Sequence, residues 1–228
     1  MLKKVAIFDV DGTIFRSSFV IELTEGLVNE GIFDESARKS YEKELKHWRN
    51  REGGYEHYVN AVVAAFMKNI KGARYEDVAR VAERIVEEQQ KHVYRYTRDL
   101  VKELRSKNYF LLAISQSPKT ALEGFCKRMG FNKTYGRIYE LGPSDRFTGK
   151  IVDEHLIMNK ATIVRRAVER EKLTLKDSIG VGDTEGDIPF LELVGRPICF
   201  NPNSELYRYA KRMEWEVVVE RKDVIYKL

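Results

Sequence analysis

An apolar run near the start of this chain ends abruptly in two acids. Val5 to Phe8 form the run, and Asp9, Asp11 and Gly12 follow it within four residues. An uninterrupted run of this length is typical of a strand buried on both faces of a sheet, and the glycine predicts a tight turn after it. Carboxylates at the carboxyl end of such a strand project into the crevice where open α/β sheets bind ligands. The run therefore predicts a buried first strand and a reaction centre beside it.

Short apolar runs alternate with helical segments after Thr97. This alternation indicates an α/β fold with a doubly wound, mainly parallel, Rossmann-like sheet. The predicted strands after the first are residues 110–114, 179–181, 198–200 and 217–219. Residues 137–141 and 150–152, with glycine and proline between them, predict a β-hairpin off the sheet.

A block of helices interrupts the predicted sheet after its first strand. From Phe19 to about Tyr96, apolar residues recur at spacings of three and four. Helices are predicted over 34–48 and 55–67, and a third carries the apolar residues from Tyr75 to Val86. We expect a catalytic core of residues 1–16 and 97–228 and a helical cap of residues 17–96. A cap that begins beside Asp9 and Asp11 is able to close over them and exclude water.

The composition limits the class of protein. The chain has 228 residues, of which 43% are hydrophobic and 33% charged, which suits one well-packed core with a smaller insertion. No apolar run approaches the roughly 18 residues of a membrane span, and the first residues lead straight into a strand, so we expect a cytoplasmic protein without a membrane partner. Cys126 and Cys199 have no metal-binding spacing, which predicts buried thiols.

The net charge of +5 favours binding of anions, but it does not discriminate between small phosphates and nucleic acid. Basic residues between 165 and 172 are interleaved with glutamates, as on a solvated helix face, so nucleic acid is not an expected partner. A small anion is the expected partner instead, and we expect the protein to be a monomer or a homodimer.

Polar groups follow three further segments of the predicted core. Ser115 follows the strand 110–114, and its hydroxyl, with the Gln116 amide, suits phosphate oxygens. Lys160 opens a helix, where its ammonium is able to neutralise developing charge. Asp183 and Asp187 follow the strand 179–181 and bring two more carboxylates to the same sheet edge.

Four carboxylates with one lysine repel one another unless a divalent cation holds them. An oxygen-rich site of this kind suits Mg²⁺, which binds one or two carboxylates together with substrate phosphate. The histidines are scattered, and we interpret them as surface or packing residues: His47, His57, His92 and His155.

Together these residues resemble the four motifs of the haloacid dehalogenase superfamily of phosphohydrolases, in the same order along the chain. Joint occurrence at strand ends and in the right loops is far more specific than any single motif. The helical insertion and the hairpin before Lys160 are similar to the phosphoserine phosphatase branch. The matching segments are Asp9-Val-Asp11-Gly12-Thr13, Ser115, Lys160 and Gly182-Asp183 through Asp187.

The resemblance implies a role for each of the acids. Asp9 would attack phosphorus and form an aspartyl-phosphate, while Asp11 would protonate the leaving alcohol and later deprotonate the attacking water. Mg²⁺ would be held by Asp9, by the backbone carbonyl of Asp11 and by Asp183. Asp187 would orient Lys160 or a metal-bound water.

The resemblance also implies the groups that bind substrate. Ser115 and Lys160 would hold the phosphoryl oxygens, which is the electrostatic part of phosphoryl transfer. Gly12, Thr13 and Gln116 complete the expected substrate-binding set.

Three positions depart from the phosphoserine phosphatase pattern. Ser18 stands where that branch has a cap Glu for the substrate amino group, and the cap Arg for the carboxylate would fall near Val62. Gly186 replaces an Asn of the fourth motif. We therefore expect a phosphatase for a different small phosphomonoester, with other lid cations available at Arg16, Arg49 and Arg51.

Alternatives to this function stay open from the residues alone. They are a phosphoserine phosphatase proper, a phosphotransferase or mutase of the same superfamily, and a non-catalytic phosphate-binding or nucleic-acid-binding protein. Asp11 argues against a non-catalytic receiver, because a receiver needs no acid–base group there.

Overall fold

The computed structural model describes residues 2–228, and its centre is one eight-stranded sheet in the order β4-β3-β2-β1-β5-β6-β7-β8. The strands β4 and β8 are antiparallel to their neighbours, and every other pairing is parallel. The predicted doubly wound, mainly parallel sheet is therefore confirmed. The strands are β1 (Lys3–Phe8), β2 (Phe110–Pro118), β3 (Lys133–Leu141), β4 (Phe147–Val152), β5 (Leu173–Gly182), β6 (Arg196–Phe200), β7 (Glu216–Arg221) and β8 (Val224–Lys227).

The helices fall into an inserted group and a core group. The first four are inserted between β1 and β2 and pack on one another, as the helical block predicts. The helices are α1 (Phe19–Asn29), α2 (Ser36–Arg49), α3 (Tyr55–Ile70), α4 (Tyr75–Gln89), α5 (Arg95–Ser106), α6 (Lys119–Met129), α7 (Glu154–Ile157), α8 (Lys160–Arg170), α9 (Ile188–Leu191) and α10 (Ser204–Met213). The domain boundaries at 16/17 and 96/97 stay a prediction.

Side chains of β1 alternate between two apolar layers. Ala6 and Phe8 lie in the larger layer, which includes the inserted helices and α6. Val5 and Ile7 lie in the opposite layer with α8, α9 and α10. All four are fully buried, which explains why the run is apolar at every position. Asp9 is thus the first polar residue at the carboxyl edge of a central strand.

The predicted β-hairpin is confirmed, because residues 138–141 of β3 pair antiparallel with β4. Its first strand is longer than predicted, since β3 begins at Lys133 and pairs there in parallel with β2. The bounds of one helix need correction. The helix expected from Asp34 begins at Ser36, since the Asp34 carboxylate accepts from the Ser36 amide at 2.8 Å in a turn before α2. The edge strand β8 was not predicted.

Two further expectations concern membrane spans and thiols. Across residues 2–228, every helix is too short or too polar to cross a lipid bilayer. Cys126 and Cys199 are both buried free thiols, as predicted.

Candidate active site

Three carboxylates from two segments of the chain meet at the carboxyl edge of the sheet. Asp9 follows β1 and Asp183 follows the adjacent parallel strand β5, while Asp187 lies in the turn after it. The Asp9 amide donates to the Val181 carbonyl at 2.9 Å, which continues the strand pairing to the acid itself. One carboxylate oxygen from each of the three acids lies within 4.8 Å of the others.

Lys160 lies between two of these acids. It is the first residue of α8, where the Asn159 side chain accepts from the Thr162 amide at 3.0 Å and so caps the helix. Its Nζ donates to Oδ1 of Asp9 and to Oδ1 of Asp187, each at 2.5 Å. Burial lowers the pKa of Lys160, but the two carboxylates outweigh burial and raise it, so the side chain stays an ammonium.

Both oxygens of Asp187 are engaged within the protein. Its Oδ2 accepts from the backbone amides of Asp183 at 2.9 Å and Thr184 at 3.1 Å, while Oδ1 holds Lys160. Gly182 makes room for this side chain, because a Cβ at that position would lie 2.5 Å from Asp187 Oδ2. Asp187 is therefore suited to orienting Lys160 and the loop that carries Asp183.

Thr13 and Gly12 shape the surroundings of Asp183. The Thr13 hydroxyl donates to Asp183 Oδ1 at 3.0 Å, and the Thr13 carbonyl accepts from the Thr97 hydroxyl at 2.9 Å. Gly12 has a φ of 78°, and a Cβ there would overlap Asp183 Oδ2. Within residues 2–228, Asp9 Oδ2 and Asp183 Oδ2 accept no hydrogen bond.

Asp9 and Asp183 belong to a carboxylate cluster that suits a divalent metal ion. Burial, opposed by Lys160 and reinforced by Asp187 and Asp11, raises the pKa of Asp9 to about 8. Burial and the charges of Asp9 and Asp187 raise the pKa of Asp183 well above its ordinary value. Hard carboxylate oxygens that repel one another in a buried site are the environment in which a divalent cation replaces protons. The acidic cluster thus fits the expected metal.

Asp11 lies on the other side of the crevice, against β2 and α1. Its Oδ1 accepts from the Phe19 amide at 2.6 Å, and its Oδ2 accepts from the Ser115 hydroxyl. The Ser115 oxygen in turn accepts from the Ser117 amide at 2.9 Å. Burial raises the pKa of Asp11 although the hydrogen bonds from Ser115 and Phe19 oppose the shift. A carboxyl with a raised pKa is suited to carry a proton for transfer.

Ser117 joins the inserted helices to the core and was missed in the sequence. Its Oγ accepts from the Val20 amide at 3.2 Å and lies 3.4 Å from the Ser18 hydroxyl. The sequence does indicate a role for Ser117, because Ser115 and Ser117 are two residues apart on β2 and so share one face of the strand.

Gln116 directly follows Ser115 and lies at an exposed position of β2. Its Oε1 accepts from Nη2 of Arg137 at 3.0 Å. Arg137 was also missed, since only the pairing of Arg137 with Pro118 across β3 and β2 brings it here.

Tyr55, the first residue of α3, belongs to an aromatic cluster of the insert. The ring of Tyr55 lies 5.0 Å from Trp48 and 6.1 Å from Tyr58, measured between centroids. Burial raises the pKa of Tyr55, and the negative charges of Asp11 and Asp183 raise it further. The charges of these two acids thus reach Tyr55 at the start of α3.

Two of the three alternative lid cations lie over aromatic rings. The Arg16 guanidinium lies over the Tyr94 ring and that of Arg51 over the Trp48 ring, each 5.5 Å from the centroid. Arg49 lies at the last position of α2. Within residues 2–228 no histidine joins the acidic cluster.

Comparisons with known proteins agree with this arrangement. The family model for haloacid dehalogenase-like hydrolases matches residues 6–192. A histidinol-phosphatase of Neisseria meningitidis is 26% identical over 95% of this chain and 99% of its own length. A phosphoserine phosphatase of Methanocaldococcus jannaschii is 23% identical over 97% of this chain and 94% of its own.

Solved structures share the fold. A protein of unknown function from Bordetella pertussis superposes with a TM-score of 0.75 at 18% identity, covering 95% of this chain and 98% of that one. A substrate-bound phosphoserine phosphatase gives 0.64 at 19% identity, covering 98% and 95%. The resemblance to this superfamily and to its phosphoserine phosphatase-like branch is confirmed. With four-fifths of its length matched by the family model, the chain belongs to the haloacid dehalogenase-like hydrolases.

Proposed function

We propose that the protein is a Mg²⁺-dependent phosphatase that hydrolyses a small phosphomonoester through an aspartyl-phosphate on Asp9. One observation carries the proposal. Lys160 is buried between Asp9 and Asp187, while Asp11, two residues after Asp9, is held separately by Ser115. The crevice thus offers a carboxylate nucleophile beside a fixed ammonium, and a second carboxyl with a raised pKa for acid–base work.

In the first step the Asp9 carboxylate attacks phosphorus and the ester P–O bond breaks. The leaving oxygen takes the proton from Asp11. In the second step water attacks the aspartyl-phosphate, Asp11 takes a proton from that water, and the bond from phosphorus to the Asp9 oxygen breaks. Inorganic phosphate leaves, and both acids return to their starting states. Splitting hydrolysis in this way replaces one difficult displacement by two easier ones.

The other site residues would hold the ion and the phosphoryl group. Asp9, Asp183 and the Asp11 backbone carbonyl would bind Mg²⁺, which neutralises charge on the phosphoryl oxygens when it is bound. Lys160 and Ser115 would donate to those oxygens. Gly12, Thr13 and Gln116 would complete the wall of the phosphoryl site.

The proposed substrate is a phosphomonoester other than phosphoserine. Ser18 is buried against Ser117, and Val62 is fully buried inside the insert, so neither position supplies a charge for an amino acid. Tyr55, at the start of α3, is instead reached by the charges of Asp11 and Asp183 and is 36% exposed. Its ring favours a substrate whose organic part presents a flat apolar surface. The histidinol-phosphatase among the relatives makes histidinol phosphate a natural member of the test panel.

The test is phosphate release with Mg²⁺ from an aryl phosphate and from a panel that includes phosphoserine and histidinol phosphate. We expect turnover by the wild type and none by Asp9→Asn. Asp11→Asn should lower the rate by about a hundred- to ten-thousand-fold. His155→Ala is the matched control and should keep wild-type activity, because His155 lies outside the acidic cluster. A wild type without turnover over the whole panel would refute the proposal.

The same assays separate the other candidates. A mutase would move phosphate between positions of a sugar phosphate, which product analysis detects. A nucleic-acid-binding protein would retard RNA or DNA at low salt. Light scattering would distinguish a monomer from a homodimer.

A further inference from the structure

Arg137 is a buried cation without an acidic partner. Only 8% of the residue is exposed, and within residues 2–228 its guanidinium forms no ion pair with a carboxylate. Its Nε is buried and has no hydrogen-bond partner. Burying an unpaired charge costs free energy, so a cation in this position calls for a reason other than stability.

The guanidinium lies between the two loops that carry the proposed phosphoryl-binding groups. Its Nη2 donates to Gln116 Oε1 at 3.0 Å and lies 3.5 Å from the Met158 sulfur. Gln116 directly follows Ser115, and Met158 precedes Lys160 by two residues. Arg137 therefore contacts both loops.

The contact fixes the orientation of the Gln116 carboxamide. A carboxamide has one oxygen that accepts and one NH₂ that donates, whereas a guanidinium only donates. Arg137 therefore selects the orientation in which Oε1 faces it and Nε2 faces away. Gln116 is exposed at the carboxyl end of β2, and within residues 2–228 its Nε2 donates to no acceptor. The result is a free donor whose direction is set by the arginine.

We propose that Arg137 is a positioning residue for substrate binding: it holds Gln116 so that Nε2 donates to an oxygen of the bound phosphoryl group. This inference rests on the proposed phosphatase function; it makes Gln116 a third donor to the phosphoryl group, beside Ser115 and Lys160, and names the residue that orients it.

The test is a double-mutant cycle with para-nitrophenyl phosphate and Mg²⁺. Arg137→Met and Gln116→Ala should each raise KM about tenfold, the size of one lost hydrogen bond to a charged group, and leave kcat within about twofold. Because Arg137 acts through Gln116, the double variant should have the same KM as Gln116→Ala alone. Arg137→Lys, which still donates to Oε1, should recover part of the loss.

The control is Arg196→Met, which removes an arginine from another strand of the same sheet. Arg196 pairs with Glu216 at 2.7 Å at the start of β6, and its loss should leave KM unchanged. Calorimetric titration with inorganic phosphate in Mg²⁺ gives a second readout, in which Arg137→Met and Gln116→Ala should weaken binding by the same factor as KM.

Additive effects in the double variant, or an unchanged KM in Arg137→Met, would overturn the inference. If Arg137→Met does not fold, Gln116→Glu is the deciding variant. It replaces the exposed NH₂ donor by a carboxylate and should raise KM by more than tenfold. An unchanged KM in Gln116→Glu would also overturn the inference. A wild type that neither turns over substrate nor binds phosphate would refute the phosphatase function itself, and this inference with it. An active wild type with unaffected variants would refute only the role of Arg137.

Discussion

Lys160 and Asp187 form an ion pair with almost no access to solvent. The lysine side chain is 6% exposed and the aspartate 0%, and Nζ lies 2.5 Å from Oδ1. The same ammonium holds Oδ1 of Asp9 at an equal distance. Asp187 thus fixes the position of the Lys160 ammonium beside Asp9, the proposed nucleophile. The other oxygen of Asp187 accepts from backbone amides, which holds the aspartate itself in place.

The first prediction concerns Asp187→Asn. The substitution leaves the Lys160 ammonium with one carboxylate in a buried site, so the free energy of unfolding should fall by about 3 kcal/mol and phosphate release should slow with it. Urea unfolding and steady-state assays measure the two effects. Asp177→Asn is the control, since it breaks an exposed pair with Lys4 and should change neither quantity. Equal behaviour of the two variants would contradict the role assigned to Asp187.

The second prediction concerns the hydroxyl of Thr13. Thr13→Val keeps the shape of the side chain but removes the hydrogen bond to Asp183 Oδ1, so the carboxylate is no longer oriented. We expect the Mg²⁺ concentration for half-maximal activity to rise about tenfold, as for other groups that orient a metal ligand, with little change at saturating Mg²⁺. Thr148→Val removes a similar hydroxyl–carboxylate bond, to Glu140 on the hairpin, and should not change the Mg²⁺ dependence. An unaltered Mg²⁺ requirement in Thr13→Val would show that Asp183 needs no such support.

The positions of the acids could be predicted because each depends on local sequence. Asp9 and Asp183 follow short apolar strands, and parallel neighbouring strands bring their carboxyl ends to one edge. Lys160 is placed by a helix start that Asn159 caps. Each of these features lies within about ten residues of the side chain that it positions. They can therefore be recognised in the sequence without knowledge of the tertiary packing.

Arg137 and the cap could not be placed in this way. Arg137 reaches Gln116 only because β3 joins the sheet in a particular register with β2, which the sequence does not encode locally. The approach of α4 to α1 depends on Gly26, where a Cβ would lie 2.8 Å from Val81 Cγ1. Such close contacts between distant segments decide which cap side chains face the crevice.

The third prediction concerns Gly182. An alanine there would bring its Cβ within 2.6 Å of Asp187 Cβ and Cγ, both next to the backbone, so Asp187 would have to move and release Lys160. We expect Gly182→Ala to lose activity and to unfold at a lower temperature. Gly124→Ala is the matched control in α6, where the nearest atoms are at an ordinary 3.8 Å and alanine should stabilise the helix by about 0.4–1 kcal/mol. A Gly182→Ala variant with wild-type activity would contradict this packing.

The fourth prediction links Mg²⁺, pH and stability. The pKa of Asp9 is raised to about 8 by burial and that of Asp183 is also raised, whereas an unfolded aspartate titrates near its ordinary 3.8. Between these values the folded state keeps a proton that the unfolded state has released. The metal-free protein should therefore lose about 1.4 kcal/mol of stability per pH unit per such proton as pH rises through this window.

A cation in the acidic cluster replaces those protons, so the stabilisation by Mg²⁺ should grow over the same window. Thermal unfolding with and without Mg²⁺ at about pH 5 and about pH 8 measures both trends. Asp9→Asn should flatten the pH dependence of the metal-free protein and shrink the Mg²⁺ effect, because it removes one titrating ligand. Asp34→Asn, which changes an exposed carboxylate far from the site in sequence, should do neither. A Mg²⁺ effect that is constant across the window, or larger at the acidic end, would mean that protons and metal do not compete for the Asp9 and Asp183 oxygens.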